Sequence, residues 1–158
     1  MRILILLFFL LPFLAQSQVR VLVTAVHDGD SYFVKFPDGT REWIRLYGVD
    51  CPEVISNHIT ANQPYGVQTA TAVRNLLKGN VFLIDTLNRD PYDRLVCRLM
   101  LNDSTELSEY LVTNGYAWSL VKQYEAMQKA AKQSKIGLWG LPGRQFKPAT
   151  FRRRHWRN

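Results

Sequence analysis

Five short segments with the residue patterns of β-strands constrain the fold of this chain most. Residues 19–26 are rich in β-branched side chains, and apolar and polar side chains alternate along residues 31–36 and 41–47. Both patterns are typical of short strands. The predicted strands are residues 19–26, 31–36, 41–47, 81–86 and 95–101. The turn-forming sequence Pro37-Asp38-Gly39-Thr40 separates the second strand from the third. The first three strands are therefore expected to form an antiparallel meander.

Helical patterns follow the third and the fifth of these strands. Apolar residues recur at helical spacing from Val67 to Leu77, and Gly79 lies where a left-handed cap would end the helix. We predict this helix to begin at Pro64, and two shorter helices at residues 106–114 and 124–134. The order of elements predicts an α+β fold with a five-stranded, OB-fold-like barrel and about three helices. The aperiodic loop at residues 48–64 has a length that is usually functional.

The first residues of the chain form a separate segment. Arg2 precedes nine consecutive apolar residues, and Ala15-Gln16-Ser17 supplies the small residues of a cleavage site. This pattern is typical of a secretory signal peptide, and the apolar run is shorter than the roughly 20 residues of a membrane-spanning helix. A buried strand or an uncleaved anchor is the alternative interpretation. We expect cleavage after Ser17, a mature domain at residues 18–140, and a secreted or periplasmic protein without a membrane span.

Export would expose the two cysteines, Cys51 and Cys97, to an oxidising compartment, where they could form a disulfide. Free, buried thiols are an equally open alternative. Two cysteines alone do not predict a zinc site, which needs four clustered ligands.

The excess of positive charge lies near the C-terminus. The chain has 20 Lys and Arg residues against 13 Asp and Glu residues, a formal net charge of +7. The basic residues after Gly140 are Arg144, Lys147, Arg152, Arg153, Arg154 and Arg157. Residues 3–139 are formally neutral, so the excess charge belongs to residues 141–158. We predict that these residues form a basic tail that attracts polyanions at long range. A solvated tail without such a role is the alternative. Net charge by itself therefore does not establish that the folded domain binds nucleic acid.

Two acidic clusters carry the candidate chemistry. Asp28 and Asp30 flank a glycine between the first two strands, while Asp50 and Glu53 lie at the start of the long loop. Asp-Gly-Asp alone is most often a hairpin turn. Carboxylates at both Asp30 and Asp50, however, would provide the oxygen-rich site that Ca²⁺ prefers.

Two arginines are candidate functional residues. One lies in sequence just before the second acidic cluster, and the other ends the polar motif at residues 90–94. Arg45 is near the end of the third strand, and Arg94 leads into the fifth. A guanidinium beside carboxylates can simply be their ion-pair partner, yet its planar fork also fits two phosphate oxygens. Both arginines are therefore candidate phosphate ligands.

Four motifs together resemble the thermonucleases, also called the staphylococcal nuclease family. The motifs are residues 26–31 (VHDGDS), 44–53 (IRLYGVDCPE), 90–94 (DPYDR) and 137–139 (GLW). They follow the order of the family motifs over roughly residues 19–139. The resemblance implies an OB-fold barrel and a Ca²⁺-dependent phosphodiesterase that cleaves both DNA and RNA and leaves a 3′-phosphate.

The resemblance also implies a metal site. Asp30 and Asp50 match the metal carboxylates of the family, and Cys51 matches a ligand that binds through its backbone carbonyl. The family often has Thr at position 51. Cysteine keeps the carbonyl, although its thiol is a poor ligand for a hard cation.

The remaining catalytic roles fall on three residues of the matched motifs. Glu53 matches the proposed general base, and Arg45 and Arg94 match the phosphate-binding arginines. Asp93 replaces the glycine that the family has before the second arginine. An aspartate there disfavours a positive φ and could pair with Arg94 in place of the substrate.

Trp118 and Tyr124 lie where the family places aromatic residues that contact the nucleotide. Stacking on a base is tolerant of sequence, as a general nuclease requires. Packing in the core is the alternative role for both rings.

These features together predict a secreted, monomeric, Ca²⁺-dependent nuclease without sugar specificity, whose substrates are DNA and RNA. A first alternative is a noncatalytic nucleic-acid-binding module on the same barrel. A second is a Ca²⁺-stabilised structural or attachment domain that uses the basic tail as its contact.

Overall fold

Five strands close into a barrel in the computed structural model, which describes residues 18–55 and 61–155. The strands in chain order are β1 (Val19–Val26), β2 (Ser31–Lys35), β3 (Arg41–Leu46), β4 (Val49–Asp50), β5 (Val81–Arg89), β6 (Leu95–Met100) and β7 (Trp118–Ser119). The order around the barrel is β1-β2-β3-β6-β5, and β1 pairs with β5 to close it. Neighbouring strands are antiparallel except for the parallel pair of β3 and β6. The predicted α+β fold with an OB-fold-like barrel is confirmed.

Four α-helices accompany the barrel in the described part of the chain. They are α1 (Gly66–Leu77), α2 (Leu107–Thr113), α3 (Glu125–Gln133) and α4 (Pro148–His155). Helix α1 packs on β1, and α2 packs on α3 and β6. The sequence predicts the first three, whereas α4 lies in the predicted basic tail. Its four consecutive basic residues, from Arg152 to His155, provide no apolar stripe by which periodicity would reveal a helix.

The hairpin of β5 and β6 is longer than the alternation of side chains predicts. Pairing continues beyond Thr86 through a bulge to Arg89, which lies opposite Leu95. Of the added residues, Leu87 is half-buried and is followed by the exposed, polar Asn88 and Arg89, so the alternation on which the prediction depends does not continue. This extension carries the chain from the barrel to the 90–94 motif.

Apolar side chains from the strands and helices fill the core. The largest fully buried side chains are Tyr32, Ile44, Leu46, Leu77, Ile84, Leu99, Leu107, Leu111 and Leu138. Each such side chain stabilises the fold by about 1.5–3 kcal/mol relative to exposure. The barrel therefore provides a rigid support for the loops at its end.

The Gly137-Leu138-Trp139 motif packs closely against the backbone at Gly115. The backbone N–H of Leu138 donates to the carbonyl of Gly115 at 2.9 Å. A Cβ on Gly137 would lie 2.4 Å from that same carbonyl oxygen, so only glycine permits this approach. The motif thereby joins the end of α2 to the segment after α3.

No helix among the described residues combines the length and the apolar character needed to cross a membrane. The predicted signal peptide at residues 1–17 lies outside the described residues.

Candidate active site

A two-residue ladder outside the barrel positions Asp50. Strand β4 pairs antiparallel with β7, and Asp50 lies opposite Trp118. The N–H of Leu120 extends this pairing by donating to the carbonyl of Gly48 at 2.9 Å. A pair of such short strands leaves no periodic signal in sequence, so sequence patterns predict only a loop for Val49 and Asp50, which lie within residues 48–64. The ladder fixes the backbone at the entrance to the acidic segment.

Arg45 joins the two acidic clusters. Its Nη1 pairs with Oδ1 of Asp30, and its Nη2 donates to Oδ1 of Asp50 at 2.8 Å. Both carboxylates are almost fully buried, and the Arg45 side chain is only 15% exposed. The structure thus brings the two predicted metal carboxylates together on one guanidinium.

Asp30 also holds the segment that follows Asp50. Its Oδ2 accepts the backbone N–H of Cys51 at 2.6 Å. A Cβ on the neighbouring Gly29 would lie 2.6 Å from the sulfur of Cys51 and 2.5 Å from Cγ2 of Thr69. The glycine of the Asp-Gly-Asp motif is therefore required for close packing of the two acidic segments.

The two cysteines occupy different parts of the core. Cys51 and Cys97 are both free and buried. Burial raises the pKa of both thiols, that of Cys97 to about 11. The sequence left open a disulfide or free thiols, and the structure has free thiols. Because their pKa values are raised, neither thiol is ionised near neutral pH.

Glu53 lies in a segment whose backbone is held by Gln63. The N–H of Glu53 donates to Oε1 of Gln63 at 3.2 Å, and the N–H of Gln63 donates back to the carbonyl of Glu53 at 3.0 Å. A Cβ on Gly66, at the start of α1, would lie 2.4 Å from that carbonyl oxygen. These contacts give the predicted general base a defined position.

Arg94 is held by its own motif. Its Nε donates to Oδ2 of Asp90 at 2.8 Å, and its Nη1 donates to Oγ of Ser31 at 3.1 Å. Asp93 adopts a positive φ of 63° although it is not glycine, and its carboxylate lies 3.3 Å from Nη1 of Arg89. The sequence suggested that Asp93 could pair with Arg94. In the structure Asp93 pairs with Arg89 instead.

Arg152, from α4, is a member of the site that sequence reasoning missed. Its Nη1 pairs with Oε1 of Glu53 and lies 3.1 Å from Oδ1 of Asp50. In sequence it is one of three consecutive arginines in a basic tail, and no spacing distinguishes it from its neighbours. Only the path of the chain after Gly140 brings it to the acidic centre.

Burial shifts the acids of this centre toward their neutral forms. Loss of solvation raises the pKa of Asp30 to about 7, against the opposing attraction of Arg45. The pKa values of Asp28 and Glu53 are also raised, mainly by burial, and Arg152 opposes the shift at Glu53. Burial therefore favours the neutral forms of these carboxyls, and a cation bound beside them would favour the charged forms.

The donor set fits a hard divalent cation. The carboxylates of this region are Asp28, Asp30, Asp50, Glu53 and Asp90, and the guanidiniums are those of Arg45, Arg94 and Arg152. Their formal charges leave an excess of two negative charges. Among the described residues, no three His, Cys, Asp or Glu side chains are gathered as a ready ligand cluster. A cation here would take part of its shell from backbone carbonyl and water, as Ca²⁺ commonly does.

A groove of about 700 Å³ lies in front of these residues. Its charged lining residues are Asp28, Arg45, Glu53, Asp90, Arg94 and Arg152. Tyr92 also lines it and is 78% exposed. The volume lies within the range of small-molecule sites, and the open side leaves room for a longer chain on either side of one phosphate.

Trp118 and Tyr124 lie beneath the site and do not line the groove. Trp118 is buried, with its ring centroid 5.0 Å from that of Trp139, and Tyr124 donates its hydroxyl to Oε1 of Glu106 at 2.8 Å. A Cβ on Gly48 would lie 2.9 Å from the Tyr124 ring. Neither ring offers a free face for stacking on a base. The structure therefore gives them the alternative role, packing beneath the segment that carries Asp50.

Comparison with known proteins adds independent evidence. Residues 43–140 match the family described as "Staphylococcal nuclease homologue". The chain is 27% identical to "Endonuclease Htp3" of Saprolegnia parasitica, over 88% of this chain and 78% of that protein. It is 28% identical to an "Uncharacterized endonuclease" of Escherichia coli O157:H7, over 78% of each chain. It is also 28% identical to "Probable endonuclease LCL3" of Komagataella phaffii, over 83% of this chain and 73% of that protein.

The matched region includes the part of β3 that carries Arg45, the acidic segment from Asp50 to Glu53, and the motif that carries Arg94. It ends with the Gly137-Leu138-Trp139 motif and does not reach α4. The family match covers more than half of the chain, and the barrel is the fold that the resemblance implies. The chain belongs to the staphylococcal nuclease family.

Proposed function

We propose that this nuclease hydrolyses phosphodiester bonds of DNA and RNA with Ca²⁺ as its cofactor, and that its products carry 3′-phosphates. The observation that supports the proposal best is the convergence of Asp30 and Asp50 on Arg45, with Glu53 beside them at the wall of the same groove. The proposed general base, the counter-charges for the phosphate and the candidate metal carboxylates thus lie within one small region.

The arginines would stabilise the charge that develops on phosphorus. A phosphodiester is already anionic, so attack by water adds negative charge to a group that repels nucleophiles. Arg45 is held by two buried carboxylates and Arg94 by Asp90 and Ser31, so both guanidiniums are oriented before substrate arrives. Preorganised donors of this kind each contribute about 3 kcal/mol to stabilisation of a transition state.

Glu53 would accept a proton from the attacking water. Its position at the groove, with its backbone held by Gln63, limits the directions from which a water could bind. Burial raises the pKa of its carboxyl from the ordinary value, which makes it a better proton acceptor than a solvated glutamate. A general base contributes about 10²- to 10⁴-fold in rate.

Asp30, Asp50 and the backbone carbonyl of Cys51 would hold the calcium ion. When bound, the ion supplies a Lewis acid that polarises a phosphoryl oxygen and helps to orient water. The chain contributes two buried carboxylates, and burial disfavours the charged form of Asp30 more than Arg45 restores it. Binding of a dication would favour the ionised carboxylates.

We further propose that the protein is exported after cleavage behind Ser17 and acts as a monomer. The tripartite pattern of residues 1–17 supports export. N-terminal sequencing of protein recovered from the medium or periplasm tests the first point, since a mature chain that still begins at Met1 would contradict it. Light scattering of the purified protein tests the second.

The decisive experiment incubates purified mature protein with DNA or RNA, in Ca²⁺ or in EDTA. Hydrolysis of both polymers in Ca²⁺, its loss in EDTA, and products from which a phosphatase removes a 3′-terminal phosphate are expected. Binding without turnover under every condition would favour the noncatalytic module. Metal-dependent stability without turnover or nucleic-acid binding would favour a structural domain.

A further inference from the structure

Helix α4 is attached to the active site through few contacts. Pro148 is its one buried residue, and Arg153, Arg154 and His155 are exposed. The segment before the helix is held by Gln63, whose Nε2 donates to the carbonyl of Phe146 at 2.7 Å. Gln63 is the same residue that holds the backbone of Glu53. The C-terminal segment is therefore linked to the catalytic loop, yet most of the helix surface is open to solvent.

The Arg152 guanidinium contacts the groups that the reaction needs. Nη1 of Arg152 lies 3.1 Å from Oδ1 of Asp50, and Nη2 lies 3.5 Å from Oδ2. Nη1 also pairs with the carboxylate of Glu53. Binding of a cation to Asp50, or of water to Glu53, competes with these contacts. Arg152 must therefore give up part of its pairing when the site becomes active.

A released Arg152 would still lie at the wall of the groove. Its side chain is 27% exposed, and it lines the groove together with Arg45 and Arg94. A backbone phosphate bound in that groove would offer the displaced guanidinium a new anionic partner. The planar fork of arginine matches two phosphate oxygens as well as it matches a carboxylate.

We propose that Arg152 is a third substrate-binding arginine of this site, which pairs with Asp50 and Glu53 in the free protein and transfers to a backbone phosphate when nucleic acid binds. The inference rests on the proposed nuclease function and extends the site beyond the family match, which ends at residue 140. The exposed Arg153 and Arg154 on the same helix provide long-range attraction for the polyanion.

The first test compares Arg152→Gln with Arg153→Gln. Both variants remove one charge from the same helix, but among the described residues Arg153 contacts neither acid and donates to Oγ1 of Thr150 at 3.5 Å. Binding of a fluorescent single-stranded oligonucleotide is measured by anisotropy in EDTA, so that no turnover occurs. Arg152→Gln should weaken binding about five- to tenfold more than Arg153→Gln and lower the salt slope by about one. Equal or tighter binding by Arg152→Gln would overturn the proposal, because the helix would then only cover the site.

The second test titrates CaCl₂ into each variant by calorimetry, without nucleic acid. Arg152→Gln should bind Ca²⁺ several-fold more tightly than the wild type, because a competing cation has been removed, whereas Arg153→Gln should be unchanged. Weaker Ca²⁺ binding by Arg152→Gln would mean that the arginine only organises the acids, and would also overturn the proposal. Arg152→Lys keeps the charge and loses the fork, so it should restore wild-type Ca²⁺ affinity but only part of the oligonucleotide affinity.

Failure of this inference differs from failure of the proposed function. Wild-type protein that cleaves DNA in Ca²⁺, together with equal oligonucleotide binding by the two glutamine variants, would reject only the role of Arg152. Absence of cleavage by the wild type would reject the nuclease function itself. Thermal unfolding of each variant establishes that the comparison is made between folded proteins.

Discussion

The carboxylate of Asp30 accepts a hydrogen bond from the backbone N–H of Cys51 at 2.6 Å. This contact joins the junction of β1 and β2 to the segment that carries Asp50 and Glu53. The two segments also approach closely enough that Gly29 has no space for a Cβ. Asp30 is therefore both a candidate metal ligand and the residue that positions the second acidic cluster.

The first prediction concerns this close approach. Gly29→Ala should force Cys51 away from Asp30, because the added Cβ would lie 2.6 Å from the Cys51 sulfur. Overpacking of this kind costs about 1–3 kcal/mol, and calorimetry should show weaker Ca²⁺ binding as well. Gly39→Ala is the control, since it strains a distant turn with φ of +90° but has no neighbour within 4 Å. A Gly29→Ala protein with unchanged Ca²⁺ affinity would contradict this account.

The second prediction concerns pH and stability in the absence of divalent metal. The pKa of Asp30 is about 7 in the folded protein against an ordinary value of 3.8. The folded protein therefore binds this proton more tightly, and the associated stability is complete below about pH 4 and is lost as pH rises through 7. Unfolding temperatures measured in EDTA should fall from pH 5 to pH 8. The fall should be smaller in Asp30→Asn, because an amide does not titrate, and identical slopes in the two proteins would argue against the assignment.

The third prediction concerns the cation site. Asp30→Asn and Asp50→Asn should each weaken Ca²⁺ binding by at least about tenfold, because each removes a formal charge from a site that competes with water for a hard dication. Asp38→Asn is the matched control, since Asp38 lies in an exposed turn and bonds only to Thr40. Calorimetry on the three variants is the measurement. Unchanged affinity in both site variants would mean that these acids are structural.

The fourth prediction concerns turnover. Glu53→Gln should reduce kcat by about 10²- to 10⁴-fold, the usual contribution of a general base. Arg94→Ala should reduce kcat by about 10²- to 10³-fold, as removal of one transition-state donor does. Arg89→Ala, which removes exposed ion pairs with Glu42 and Asp93 and a hydrogen bond to the Asp93 carbonyl, should retain near wild-type turnover because Arg89 does not line the groove. Steady-state kinetics at saturating Ca²⁺ compares the variants, and a near wild-type rate for either site variant would remove that residue from the mechanism.

The fifth prediction concerns the position before Arg94. Asp93 has a positive φ of 63°, a conformation that costs most residues about 1–2 kcal/mol and aspartate somewhat less. Asp93→Gly should therefore raise the free energy of unfolding by about 0.5–1 kcal/mol, since the lost contact with Arg89 is exposed and weak. Chemical denaturation measures the change. A less stable glycine variant would show that the contact with Arg89 outweighs the backbone strain.

Local patterns in the sequence are sufficient to locate the barrel strands and α1, although not the full length of β5. Alternation along β2 and helical spacing along α1 are properties of neighbouring residues, so they are visible without knowledge of the fold. The 90–94 motif illustrates the limit of such patterns. They identify Arg94 as a candidate, but whether Asp90, Asp93 or a substrate is its partner depends on how the hairpin of β5 and β6 folds.

The sequence by itself determined the class of fold, the acidic and basic residue types of the site and the resemblance to a nuclease family. Only the tertiary structure decided which of these residues meet. It brings Arg152 to Glu53 and Asp50 across 99 and 102 positions of chain, and it buries Trp118 beneath the site as the partner of Asp50 in a two-residue ladder. Such contacts join residues that are far apart in sequence, and the residues next to them in sequence show no periodic pattern that would predict the contact. They form because the closed barrel brings distant segments to one end, where buried carboxylates require cationic partners.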